Sequence, residues 1–226
     1  MRSLAYLIGS AIGGPLFDRL PGHYLFSFAM SLACIGTTLL PFCKTVVLLA
    51  LTASVQGLSI GFLDTGSNVL LVWVHGDEKV APYLQFIHFA FGVGAFIAPL
   101  LVELSVNAIA APSLAFWIIG ALFAPIAAVL LFVKSPRQDS AVKADGEQAA
   151  PPPARSGGLG RYEMALVVIA ACIMFVYVGT EIGEGSYIFT YSVLYAGFTE
   201  AQGHYLTSAF WGSLAVRPFM MMALHI

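Results

Sequence analysis

Charge is what this sequence has least of. Only 10% of its 226 residues are Asp, Glu, Lys or Arg, against roughly 25% in a soluble domain. So few polar groups cannot cover a globular surface. The basic residues are scattered and the net charge is −2, which leaves no electrostatic footprint for nucleic acid. Cysteine is scarce as well. Cys34, Cys43 and Cys172 form no C-x-x-C pair, and they read as small buried hydrophobes, not as a disulfide set or a metal site. The sequence has no phosphate-binding loop, no H-E-x-x-H and no glycine-rich dinucleotide fingerprint. No metal and no cofactor is implied.

What is present in quantity is hydrocarbon. The chain is 59% hydrophobic, with a mean hydropathy of +0.86. Apolar runs recur over residues 3–17, 24–42, 46–74, 83–105, 113–133, 162–195 and 203–226. A helix needs about 20 apolar residues to cross a bilayer. The pattern predicts an all-α, polytopic membrane protein with about seven spans. The first run is short, and residues 1–17 could pass for a signal peptide, but no convincing cleavage site follows. The sixth is long and carries Gly179, Gly183 and Gly185, which predicts a kinked or broken helix.

One segment is plainly not membrane. Residues 134–161, "KSPRQDSAVKADGEQAAPPPARSGGLGR", are rich in Pro, Gly, Ala and charge. They read as a disordered linker between five spans (1–133) and two (162–226). A cytosolic linker puts Lys134, Arg137, Lys143, Arg155 and Arg161 inside. The loops at 18–23 and 75–82 then fall on the same side with Arg19 and Lys79, while Lys44 lies in an outside loop and Arg2 at the outside N-terminus. The positive-inside rule supports this orientation.

Two spans carry polar stripes. In the third, Ser54, Gly57, Gly61, Asp64 and Asn68 are spaced 3, 4, 3, 4 along one helical face. In the fourth, Gln85, His88, Gly92, Ala95 and Pro99 repeat that spacing. The sixth places Tyr177, Glu181 and Glu184 on one face beside its glycines. Small residues let helices approach closely, so Gly57-xxx-Gly61 is first of all a packing seam. Asn68, Gln85 and His88, taken singly, are each explained by a hydrogen bond to a neighbouring helix. Asp64, Glu181 and Glu184 are harder to explain that way, because acids at membrane depth are costly and mark solute or ion pathways. "GLSIG", residues 57–61, matches the G-x-S-x-G elbow of α/β-hydrolases. That motif needs a strand–turn–helix, so inside an apolar helix chance explains it better. An intramembrane serine hydrolase using Ser59 with His88 is the remote alternative.

The stretch "GGPLFDRLPG", residues 13–22, resembles the loop between the second and third helices of the major facilitator superfamily. Gly14, Asp18, Arg19 and Gly22 match its pattern, with one extra residue before Gly22 and His23-Tyr24 in place of a basic pair. "GFLDTGSNVLLVWV", "LQFIHFAFGVGAFIAPLL" and "YVGTEIGEGSYIFTYSV" narrow the likeness to the sodium-dependent glucose transporter-like branch, related to the fucose permeases. The resemblance implies a partial twelve-helix fold, helices two to eight, and hence a fragment or shortened isoform. It also implies a gating loop at Gly14, Asp18, Arg19 and Gly22, with the acid and the Arg paired. Asp64, with Asn68 following, stands where the fucose permeases hold a substrate and proton-coupling acid, and His88 stands where their fifth helix is polar.

The resemblance thus implies secondary-active transport of a glucose- or fucose-like sugar or similar polar solute. The coupling cation would be Na+ or H+, with Asp64, Asn68, Gln85, His88, Tyr177, Glu181 and Glu184 as binding candidates. The expected setting is the plasma membrane, with an apical or endomembrane location as alternatives. The main competing reading is a non-transporting isoform or a partner-binding membrane protein. Such a fragment is not expected to transport by itself, and Arg217 in the last span would be costly unless paired with an acid such as Glu181.

Overall fold

A computed structural model describes residues 1–136 and 160–223. Among these, the chain forms seven α-helices and no strand: α1 (Arg2–Phe17), α2 (Gly22–Leu39), α3 (Val46–Lys79), α4 (Ala81–Ile109), α5 (Ser113–Phe132), α6 (Arg161–Leu194) and α7 (Glu200–Ala223). A 3₁₀ turn, Leu40–Phe42, extends α2. Helix is what a hydrocarbon setting demands, since every backbone N–H and C=O must find its partner within the segment.

Five of the helices are long and apolar enough to cross a membrane: α2 with its 3₁₀ extension, α3 as far as Gly76, α4, α5 and α6. With 16 residues, α1 spans about 24 Å at 1.5 Å per residue, short of a hydrocarbon core of about 30 Å. Helix α7 is long enough but more polar, carrying Glu200, Gln202, His204 and Arg217.

The ends have local causes. Thr45 caps α3, its hydroxyl accepting the Leu48 N–H at 3.3 Å. Gly76 takes φ 71°, ψ 163° inside the run 46–79, a conformation open to glycine and strained for other residues. It ends the regular part of α3. Ala110, at φ 54°, closes α4 in the left-handed conformation.

Packing follows the small residues. α1 runs parallel to α3, while α2 lies antiparallel against α3 and also packs on α5. The tightest core, Phe17, Leu25, Ala29 and Phe62, fills the junction of α1, α2 and α3, with Phe17 and Phe26 edge to face at 5.6 Å. Although α4 follows α3 directly, it packs mainly on α7, and α6 packs on α7 as well. At the turn between α3 and α4, the His75 and Tyr83 rings stack with centroids 3.5 Å apart and planes 8° apart.

The break expected in the sixth span is not found. α6 is one continuous 34-residue helix. A glycine weakens a helix by about 1 kcal/mol relative to Ala but keeps its N–H, unlike proline. Gly185 has a packing reason to be there, since a Cβ would run into the Trp211 ring of α7. The expected linker, 134–161, lies mostly outside the described residues. Near its start, the His23 backbone N–H donates to Ser135 Oγ at 3.2 Å, and just before it the Nδ1–H of His23 donates to the Val133 carbonyl at 3.0 Å.

Candidate functional site

Between Val46 and Gly76, Asp64 is the sole Asp, Glu, Lys or Arg. By helical rise it lies about 27 Å from the start of α3. Its carboxylate accepts a hydrogen bond from the Tyr6 hydroxyl of α1, O···O 2.5 Å. That is the short end for an O–H donating to a carboxylate. Beyond this contact the Asp64 side chain is exposed.

The reason Tyr6 can reach it lies in the glycines. A Cβ on Gly57 would strike the Arg2 carbonyl, one on Gly61 the Tyr6 carbonyl, and one on Gly9 the Leu58 carbonyl. The α1 and α3 backbones therefore lie almost in contact, as small residues permit. Ser10 Oγ donates to the Gly61 carbonyl and Thr65 Oγ1 to the Ser10 carbonyl, both at 3.4 Å. On the far side of α3, Ser59 is fully buried and donates to the Ala29 carbonyl of α2 at 2.7 Å. A hydroxyl closed off and committed in this way is a tie between helices, not a nucleophile.

Asn68 joins Asp64 only through the backbone, its Nδ2 donating to the Asp64 carbonyl at 2.9 Å. Ser67 Oγ donates to the same carbonyl at 2.9 Å. The remaining sequence candidates stand apart. Among the described residues, Gln85, His88, Tyr177, Glu181 and Glu184 make no hydrogen bond or ion pair. Gln85 and Glu181 are half-buried and Gly57, Gly61 and Gly92 buried, whereas His88, Tyr177 and Glu184 are exposed. In the α4 stripe, Gly92 packs on Ala215 of α7. Arg217 has no ion pair with Glu181, and Asp18, which closes α1, has none with Arg19. In the candidate gating loop, Gly22 fits under Leu70 of α3, while Gly14 faces open space. No group of three His, Cys, Asp or Glu among the described residues could hold a metal ion.

Sequence reasoning missed Tyr6 and Ser10. A signal was present, because Arg2, Tyr6, Gly9 and Gly13 follow the same 4, 3, 4 spacing as the stripe on α3. Tyrosine passes as a hydrophobe in an apolar run, which hides it.

An acid inside an apolar helix, held by the hydroxyl of a neighbouring helix, is the kind of group that marks solute or ion pathways in membrane proteins. Residues 1–224 match the Major Facilitator Superfamily, and the chain belongs to that family of integral, multi-pass membrane transporters. It is similar to "Sodium-dependent glucose transporter 1" of Homo sapiens, 34% identical over 248 residues that cover 95% of this chain and 46% of the relative. It is also similar to "Sodium-dependent glucose transporter 1A" of Mus musculus, 35% identical over 248 residues, 95% of this chain and 56% of the relative. "Major facilitator superfamily domain-containing protein 4A" of Pongo abelii is 38% identical over 104 residues, 45% of this chain and 20% of the relative. The chain spans about half the length of these two sodium-dependent glucose transporters. No solved structure matches it.

Proposed function

We propose that this chain serves secondary-active transport of a sugar or similar small polar solute, coupled to a cation, Na+ or H+, across the plasma membrane. The observation that carries the reading is Asp64, an acid well inside α3 whose carboxylate is held by Tyr6 yet remains open on its other side. The names of the sodium-dependent glucose transporters to which the chain is similar support both the sugar and the cation.

The chemistry is simple. A carboxylate accepts O–H donors, which sugars present in numbers, or holds a cation beside them. The free carbonyl oxygen of the Asn68 side chain adds an acceptor one turn away. Gln85 and His88 on α4, and Tyr177, Glu181 and Glu184 on α6, are polar groups that a solute would meet in a cavity between helices. Gly14, Asp18, Arg19 and Gly22 form the gating loop of this reading.

Asp64→Asn is the test. It keeps size and removes charge. With this segment carried in a twelve-helix transporter, uptake of labelled glucose and fucose, with and without a sodium gradient, is expected to fall by about tenfold or more, the worth of a hydrogen bond to a charged group. Surface delivery is expected to stay unchanged. Wild-type uptake with unchanged cation dependence would overturn the reading.

A further inference from the structure

We infer that the Tyr6 hydroxyl is a placeholder on Asp64, occupying the carboxylate oxygen that a hydroxyl of the solute takes when it binds. The inference rests on the transport reading above and gives its site a substrate chemistry. Tyr6 is the one side chain among the described residues that donates to the Asp64 carboxylate, at 2.5 Å. A phenol O–H and a sugar O–H offer a carboxylate the same kind of hydrogen bond. A carboxylate in an apolar helix is expensive without a donor. An exchange of one hydroxyl for another never leaves it bare.

The seam permits that exchange. α1 is fixed to α3 by the backbone approach at Gly9, Gly57 and Gly61 and by the Ser10 and Thr65 hydroxyls. The backbone approach and the Thr65 hydroxyl do not use the Tyr6 phenol, and of these groups the Ser10 hydroxyl alone also lies within hydrogen-bonding reach of it. Tyr6 and Asp64 both lie at the exposed edge of the seam. Tyr6 can therefore swing away by a side-chain rotation while α1 stays in place. The ligand this selects is a neutral, hydroxyl-bearing solute. A carboxylate or phosphate solute would be repelled by Asp64 and could not supply the donor.

The test uses the purified chain in detergent with sodium chloride and tritiated D-glucose as probe, for wild type, Tyr6→Phe and Asp64→Asn. Tyr6→Phe keeps the ring and the seam but leaves the unliganded carboxylate without its donor. Glucose is expected to bind Tyr6→Phe about tenfold more tightly than wild type, the worth of one such bond, and Asp64→Asn about tenfold more weakly. The infrared carboxylate band assigned by the Asp64→Asn difference should shift between unliganded wild type and unliganded Tyr6→Phe. It should coincide once glucose is bound, because Tyr6 has then left Asp64 in both.

Equal or weaker binding by Tyr6→Phe, with Asp64→Asn weakened, would overturn the placeholder and leave the transport reading standing. So would glucose-bound spectra that still differ. Binding that is equal in all three, or absent from all three, would remove the transport reading and the placeholder with it.

Discussion

Gly92 of α4 faces Ala215 of α7 so closely that a Cβ on Gly92 would lie 2.6 Å from the Ala215 methyl. The same face of α4 takes Gly212 against Phe96 and sets Phe89 beside Phe219, ring centroids 5.5 Å apart and planes tilted by 37°. Residue numbers rise on α4 as they fall on α7, so the two helices are antiparallel partners. Gly92→Val is expected to force them apart and destabilise the chain by about 1–3 kcal/mol, the usual cost of overpacking. A lowered melting temperature in detergent checks this, with Gly94→Ala, which faces open space, as the neutral control.

Gly57→Ala should be worse than its size suggests. The atom in the way is a backbone carbonyl, that of Arg2, which cannot rotate aside as a side chain can. The expected outcome is displacement of α1 and loss of the Tyr6–Asp64 bond, read as faster amide exchange along α1. Gly14→Ala, on the same helix but in open space, should be neutral or stabilise by about 0.5–1 kcal/mol through helix propensity.

Ser59→Ala is expected to cost about 1 kcal/mol of stability, the worth of its bond to Ala29, and to leave fluorophosphonate labelling at the background of the wild type. Specific labelling of wild-type Ser59 would refute the structural role assigned to it.

His23→Ala should loosen the join between the start of α2 and the end of α5. The imidazole donates to the Val133 carbonyl at 3.0 Å, one of the carbonyls that a helix end leaves without a partner. Loss of about 1 kcal/mol there corresponds to roughly fivefold faster amide exchange in the last turn of α5. Exchange by mass spectrometry checks it, and His23→Gln, which keeps a donor, should restore part of the protection.

The helices were legible because the apolar runs are as long as a membrane is thick. The run 113–133 became Ser113–Phe132, and 46–74 ended at the turn of Gly76. Faces were legible too, from the 3, 4 spacing around Asp64. What a face looks at was not. Spacing shows that Gly57, Gly61 and Asp64 share a side of α3, but not that α1 lies there, since that contact depends on a fold of the chain with 50 or so intervening residues. The glycines of α6 misled for a related reason. Glycine permits a break without requiring one, and Gly185 is explained by Trp211, a neighbour that sequence distance hides. Ser59 fits the hydrolase elbow in letters, and only its burial against Ala29 shows what the hydroxyl does.

The stacked rings of His75 and Tyr83 bracket Gly76 at the corner between α3 and α4. Beyond that corner the two helices diverge in allegiance, α3 to α1 and α2, and α4 to α7. The arrangement is that of a pair of compasses, with rigid arms joined at a braced pivot. The arm that carries Asp64 and the arm that meets α7 at Gly92 are thus joined through this corner, and none of the side-chain hydrogen bonds described above runs between them.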